Sequence, residues 1–460
     1  MGRSRARPNT YDPAVLEEHP AFTIADPSPE LVERVAAAEW PDGLLDRVLA
    51  LRRNRHEIDG WLDSGFPTPE MLTSWVDTQE LLLNSPLVAR QATWEDDDLL
   101  VDLCANAPET VGEWTVVVER GPNPYAQFRL QEHPSVIVLE DRRVALGMAA
   151  HSTRNSFIGG EPTSVHHMSG WRVRQGFRGM GLSRMLQFAA GPGTSWFGLV
   201  TYYFVRSGNA SASWISKINA DLSDRPEGWA AETDADTVSV ISFTAVDRGE
   251  RSARVRPATA DDLEHCRRLI NRTHDGLDLF RPYSADDLDV RMSDPSWGPK
   301  PSFYRSVYGL PDFRVLEADG EIVACGGLWD RGRDLREIWH RQGGDGGEAG
   351  VGDGVGDGSE RGDGGGETIV LDPTALMDVG FADGHEQAMG ELISHLLAES
   401  GELGRSGLLA ALQFQPQVAA ACAELGPVVE TRSLHVNPFT SPELRVECSI
   451  ERPYIDLAYW

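Results

Sequence analysis

A glycine-rich segment in the first half of the chain carries residue types that bind a phosphate group. It reads Val173, Arg174, Gln175, Gly176, Phe177, Arg178, Gly179, Met180, Gly181, Leu182, Ser183. An apolar, strand-like run over 165–173 precedes it, and apolar residues at helical spacing follow it. A helix N-terminus offers unpaired amides and the positive end of a dipole, and glycine lets an anion reach the main chain. The segment therefore predicts a pyrophosphate site, with Arg178 as an added cation.

Two other phosphate motifs fit the segment poorly. A dinucleotide-binding fingerprint needs a glycine three residues after Gly181, where Arg184 stands. A P-loop needs Gly-Lys followed by Ser or Thr, which the segment does not contain. Neither class of nucleotide site is predicted.

The spacing V-x-x-x-x-R-G-x-G-L, from Val173 to Leu182, resembles the acyl-CoA signature of the GNAT superfamily of N-acetyltransferases. Gln175 replaces a frequent proline that stiffens the turn, and Ser183 occupies the last small position of the family element. The resemblance implies that the CoA pyrophosphate is bound by Arg178, Gly179, Met180, Gly181, Leu182 and Ser183. It also implies that this strand splays from a neighbouring strand at 197–205. By the same resemblance, the main-chain groups of Trp171, Arg172 and Val173 bind the pantetheine arm in that cleft and polarise the thioester carbonyl.

Acyl transfer to an amine also needs a proton acceptor. Family members use a glutamate, a histidine or an ordered water, and this chain offers His166, His167 and, less directly, Glu161. A histidine with an unperturbed pKa of about 6.5 accepts a proton at neutral pH. Strand alternation sends His166 and His167 to opposite faces, so at most one faces the cleft. Two solvated histidines at a strand start are the alternative.

The proton donor to the leaving thiolate is less well marked. The segment from Asn209 resembles the family element N-x-x-A-x-x-L-Y, so Asn209 is a predicted CoA contact, but Ser216 stands where the family has its tyrosine. Tyr202 or Tyr203 is then the candidate acid, unless the thiolate, with an aqueous pKa near 8.5, leaves without a donor. Strand packing is the alternative role for both tyrosines.

The chain also repeats itself. Residues 90–97 (R-Q-A-T-W-E-D-D) are echoed by 256–262 (R-P-A-T-A-D-D), and the hairpin pattern over 136–147 is echoed over 313–326, with the favoured Asp-Gly turn at 319–320. The second copy lacks R-G-x-G after its strand at 376–381. It places the carboxylates of Asp383 and Glu386 there, which would repel phosphate. It also predicts a strand at 408–414, a helix at 418–425 and a strand at 428–436.

The predicted fold is α/β, with two tandem GNAT-like domains, each a mixed, mostly antiparallel sheet flanked by helices. Predicted boundaries are 1–85 for a helical N-terminal extension, 86–250 for the first domain and 251–460 for the second, degenerate domain. The extension covers one domain or makes a homo-oligomer contact. A Gly/Asp-rich tract at 342–367 is a flexible insertion, because it has too few side chains to offset the entropy of ordering. Calcium binding by this tract was the alternative, and no metal site is predicted.

Composition limits the partners. The 460 residues carry a net charge of −29, which disfavours nucleic acid and slightly favours a cationic substrate. No apolar run approaches the roughly 18 to 20 residues that span a bilayer, and no signal peptide is evident. Five widely spaced cysteines without a C-x-x-C pair predict buried thiols and a cytoplasmic location.

These patterns predict an acyltransferase that moves an acetyl or other short acyl group from acetyl-CoA, as co-substrate, to a primary amine of a small molecule or peptide. Two alternatives remain. One is a non-catalytic acyl-CoA-binding sensor. The other is a tandem-GNAT aminoacyl transferase that uses charged tRNA, although such proteins lack the R-G-x-G-L signature and an acidic chain suits tRNA badly.

Overall fold

The computed structural model describes residues 87–189 except 122 and 133, 200–206, 209, 236–284, 287, 288, 292, 308–341, 367–412, 415–436, 450 and 452–457. The strands described there are β1 Leu87–Gln91, β2 Glu109–Val111, β3 Trp114–Arg120, β4 Ser135–Asp141, β5 Val144–Ile158, β6 Glu161–Val173, β7 Val200–Arg206, β8 Asp236–Phe243, β9 Val255–Pro257, β10 Phe313–Ala318, β11 Glu321–Trp329, β12 Leu335–Arg341, β13 Thr368–Leu371, β14 Thr374–Phe381, β15 Leu408–Ala410 and β16 Pro427–Val436. The α-helices are α1 Asp97–Ala105, α2 Ala126–Arg129, α3 Leu182–Ala189, α4 Leu263–Thr273, α5 Glu386–Glu402 and α6 Pro416–Ala421. The predicted N-terminal helices, the Gly/Asp tract and residues 210–216 lie outside the described residues.

Most of these strands join one mixed sheet in the order β1-β4-β5-β6-β7-β16-β8-β15-β14-β11-β10-β9. Its pairs are antiparallel except β6 with β7 and β14 with β15, which are parallel. A second antiparallel sheet has the order β13-β12-β3-β2. The predicted α/β class with a mixed, mostly antiparallel sheet is confirmed. Strand β15 ends at Ala410 rather than at 414.

The last strands of the two halves of the chain are exchanged in the large sheet. Strand β8, from the first half, lies between β16 and β15, and β16 lies between β7 and β8. The sequence predicted a sheet for each copy and did not include this exchange. One continuous sheet results, because each half completes the other with a strand.

The repeated sequence forms the same hydrogen bonds twice. At the end of β1, Arg90 donates to Asp96 at 2.7 Å and to Glu140 at 2.8 Å. In the second copy, Arg256 donates to Asp262 at 2.7 Å and to Glu317 at 2.8 Å. Both hairpins turn through two successive left-handed residues, with φ of 48° and 70° in the first and 53° and 82° at the predicted Asp319-Gly320 turn. These angles match the two-residue turns that suit strand twist.

Helices cover both faces of the first half of the sheet. Because side chains of a strand alternate, Met148 of β5 packs on α1, with its sulfur 4.0 Å from that of Cys104, and Ala149 packs with Leu186 of α3. Four cysteines in the described part are buried and unpaired, as predicted: Cys104, Cys266, Cys325 and Cys422. None of the described helices has the length and apolar character needed to cross a bilayer.

Candidate active site

Strand β6 loses its neighbour halfway along its length. Its parallel register with β7 runs from Val165↔Val200 to His167↔Tyr202 and then stops. Strand β6 nevertheless continues to Val173 and β7 to Arg206. Among the described residues, the edge of β6 after His167 therefore has free strand positions on the β7 side. This is the opening where the resemblance placed the acyl-CoA arm.

A bulge at Gly170 sets the direction of the end of β6. The register with β5 shifts there, so that Ser169 faces Ala150 and Arg172 faces Met148. Gly170 has a φ of 58°, and a Cβ at this position would lie 2.8 Å from Cζ of Phe128, so only glycine fits. After the bulge, Trp171 and Val173 pack with the α3 cluster. The indole N–H of Trp171 is buried and has no acceptor within the described parts of the chain.

The turn between β6 and α3 leaves its main chain open. Gly179 and Gly181 have φ of 79° and 76°, and a Cβ built on either would meet no atom within 4 Å. Arg178 is exposed beside them, where it donates to the carbonyl of Val173 at 3.4 Å and to that of Pro108. Of the other predicted residues in the turn, Met180 is 64% exposed, Leu182 is buried against the sheet and Ser183 is partly exposed. An anion can therefore approach the glycine amides at the start of α3.

The two histidines lie on opposite faces of β6, as alternation requires. On the α3 face, Nε2 of His166 lies 3.1 Å from Nδ1 of His151, and its Nδ1 lies 3.3 Å from Oγ1 of Thr201. On the α1 face, the ring of His167 lies 5.0 Å from that of Tyr202. All three histidines are buried, so the solvated alternative is wrong. Burial lowers the pKa of His151 to about 4 and the pKa values of His166 and His167 well below 6.5.

Tyr202, and not Tyr203, shares a face with His167. Its hydroxyl accepts a hydrogen bond from Arg154 at 3.2 Å, and burial raises its pKa while Arg154 opposes that rise. Tyr203 is partly exposed on the other face, in register with His435 of β16. Ser152, opposite His167 in the β5 register, has a buried hydroxyl without a hydrogen bond to any described group. The α1 face of the opening thus combines an imidazole, a phenol and an unsatisfied hydroxyl.

Asn209 and Arg172, predicted from separate motifs, meet at Glu109 of β2. The amide of Asn209 donates to Glu109 at 3.2 Å, and Arg172 forms an ion pair with the same carboxylate. Sequence reasoning missed Glu109 of β2 and His151 and Arg154 of β5, because these strands are not adjacent in sequence to the glycine turn and none of the three residues belongs to a local motif. Glu161 lies at the exposed start of β6, away from the other candidates.

The corresponding turn of the second half differs in charge. Strand β14 also has a bulge, where Asp378 has a φ of 50°, and its pairing with β15 also ends early. The turn that follows carries Asp383, whose side chain is 87% exposed and lies 3.7 Å from Arg272. It therefore carries an exposed carboxylate, whereas the turn of the first half carries the exposed guanidinium group of Arg178. No group of three or more metal-binding side chains occurs among the described residues.

The sequence matches no protein-family model and no curated protein. In structure, the chain is similar to Saccharomyces cerevisiae N-myristoyltransferase with bound myristoyl-CoA, over 81% of this chain and 90% of that one, at 9% identity and a TM-score of 0.48. It is also similar to a GCN5-related N-acetyltransferase from Sphaerobacter thermophilus, over 82% of this chain and 99% of that one, at 14% identity and a TM-score of 0.40.

Proposed function

We propose that the chain is an acyl-CoA-dependent N-acyltransferase built from two GNAT-like copies, 86–250 and 251–460, with the reaction in the first. The observation that carries this proposal is the early end of the β6–β7 pairing, followed along β6 by a glycine turn whose main chain is open. A strand edge and a helix N-terminus offer N–H donors to an amide-bearing arm and to a pyrophosphate. The turn of the second half, with Asp383, suits a phosphate badly.

The proposed base is His167 and the proposed acid is Tyr202. The amine attacks the thioester carbonyl carbon, so that a C–N bond forms, the C–S bond breaks and the amine proton passes to the imidazole. Burial keeps His167 neutral before the amine attacks. The departing thiolate takes a proton from the phenol of Tyr202. His166 serves the α3 face instead, where it pairs with His151.

Calorimetric titration with acetyl-CoA, followed by a thiol-release assay over a panel of amines, tests the proposal. One site per chain together with thiol release is the expected result. Binding without release from any amine supports the sensor, and absence of binding contradicts the proposed function. A parallel titration with myristoyl-CoA, the ligand in the yeast structure, tests whether the chain prefers short or long acyl groups.

A further inference from the structure

Both sheets contribute buried and half-buried arginines to one cluster beside the β6–β7 opening. The arginine cluster consists of Arg120, Arg172, Arg206, Arg331 and Arg432. All five interact electrostatically with Glu337 of β12, whose Oε1 lies 2.8 Å from Arg206 and 3.6 Å from Arg331. Glu109 binds the opposite side, through its ion pair with Arg172 and a 3.6 Å contact to Arg206.

The described carboxylates do not balance this cluster. Among the described residues, Glu109 and Glu337 supply two negative charges near four guanidinium groups, those of Arg120, Arg172, Arg206 and Arg331. Burial and, next, the neighbouring Arg206 together lower the pKa of Arg432 to about 9. Burying a charge without an opposite partner carries a desolvation cost, and a bound anion offsets that cost. The cluster is thus a site where an anion would stabilise the folded chain.

Several guanidinium N–H groups in the cluster also make no hydrogen bond to a described residue, and Nη1 of Arg206 has only its 3.6 Å ion-pair contact to Glu109. Nε of Arg120, Nε of Arg172 and Nη1 of Arg206 are buried without a hydrogen-bond acceptor among the described residues. Arg120 is only 5% exposed. Guanidinium groups bind carboxylate and phosphate oxygens through paired N–H donors, so these free donors favour an oxyanion.

We propose that the arginine cluster binds the oxyanion of an acidic acceptor, an amine that also carries a carboxylate or phosphate group. This inference rests on the proposed function and names its substrate class. Arg172 follows the bulge of β6 and Arg206 ends β7, so the two flank the opening. His167 and Tyr202 lie farther back on the same two strands and the same face of the sheet. An anchored anion would therefore hold the amine on the side of the proposed base.

Inorganic phosphate tests the anion site without acyl-CoA. At constant ionic strength, phosphate should raise the unfolding midpoint of the wild type and of Arg178→Glu, which removes the cation of the glycine turn. The shift should disappear in Arg206→Gln and persist in Arg336→Gln, a control whose arginine is 54% exposed and pairs with Glu119. No shift in the wild type, or an equal shift in Arg206→Gln, overturns the proposal and leaves an ion-pair network only.

Matched acceptors test the substrate class. The kcat/KM of an amino acid is compared with that of its amide, and that of an amino sugar phosphate with that of the amino sugar. In at least one pair, the anionic acceptor should have a kcat/KM about 10- to 100-fold higher than its neutral partner, which corresponds to one or two hydrogen bonds to a charged group. Arg206→Lys keeps the positive charge, so it should retain more of this preference than Arg206→Gln. The pair in which the anionic member is preferred shows whether the site recognises a carboxylate or a phosphate.

Equal kcat/KM values within both pairs overturn the acidic acceptor while the acyltransferase stands. Absence of acyl-CoA binding with the phosphate shift intact overturns the proposed function and keeps the anion site. If Arg206→Gln does not fold, the comparison of wild-type acceptors still decides, because it needs no variant.

Discussion

Gly170 sets the direction of β6 at the point where the strand leaves β7. Alanine there must adopt a left-handed backbone and place its Cβ 2.8 Å from Phe128. We expect Gly170→Ala to lower the free energy of unfolding by about 2–5 kcal/mol, from backbone strain and overpacking together. Urea unfolding midpoints measure this loss.

Gly160 offers a matched control for that substitution. Its φ is 83°, but a Cβ there would meet no atom within 4 Å. Gly160→Ala should therefore cost only the backbone part, about 1–2 kcal/mol. Equal losses in the two variants would show that the Phe128 ring moves aside without cost, and the steric argument for the bulge would then be wrong.

His151 gives the protein a predictable acid sensitivity. Its folded pKa of about 4 lies below the unfolded value of about 6.5, so the unfolded chain binds its proton first as pH falls. The stability due to His151 is complete above pH 6.5 and is lost between pH 6.5 and 4, to a total of about 3 kcal/mol. His166 and His167 shift in the same direction.

His151→Gln should make the free energy of unfolding less dependent on pH in this range. Urea unfolding at four values between pH 7.5 and 4.5 gives the slope for wild type and variant. The contribution of the carboxylates to the pH dependence cancels in this comparison, because they titrate in both proteins. Identical slopes would mean that water reaches His151 in the folded state and that burial does not suppress its protonation.

At the scale of the element, the turn from Arg178 to Ser183 is the part of the site that sequence describes best. A phosphate-binding turn is local, so its glycines, its cation and its helix are readable from adjacent residues. Strand β6 and both hairpin turns were predictable for the same reason. The pairing of His151 with His166, and the arginine cluster, were not. They depend on strands that are far apart in sequence, and lone arginines carry no spacing signal.

The turn also supports a prediction about ligand affinity. Arg178→Glu replaces the cation beside the open glycine amides with an anion, so we expect acetyl-CoA affinity to fall by about 100-fold or more. Calorimetry measures the change. Asp383→Asn alters the charge of the corresponding turn in the second half and should leave the affinity unchanged. If Arg178→Glu binds acetyl-CoA as tightly as the wild type, or if Asp383→Asn no longer binds it, the acyl-CoA site does not lie in the first half.

At the scale of the whole molecule, the exchange of β8 and β16 ties the two halves together. The sequence repeat indicated two similar copies, and of the two exchanged strands only β16 was predicted by its own residues, at 428–436. The copy that each strand joins could not be predicted, because an apolar pattern predicts a strand without indicating its neighbour in the sheet.

This exchange predicts that neither half folds alone. Separation after residue 250 deprives β8 of β15 and β16 and deprives β7 of β16, and exposes unpaired strand edges that promote aggregation. We expect 86–250 and 251–460 to be insoluble when expressed singly and to form a soluble 1:1 complex when expressed together. As a control, the intact protein cleaved at an engineered protease site between the halves should elute as one species, because the strands already pair. A soluble, folded and monomeric 86–250 would show that β8 can close the first sheet by itself, and that the halves are independent domains.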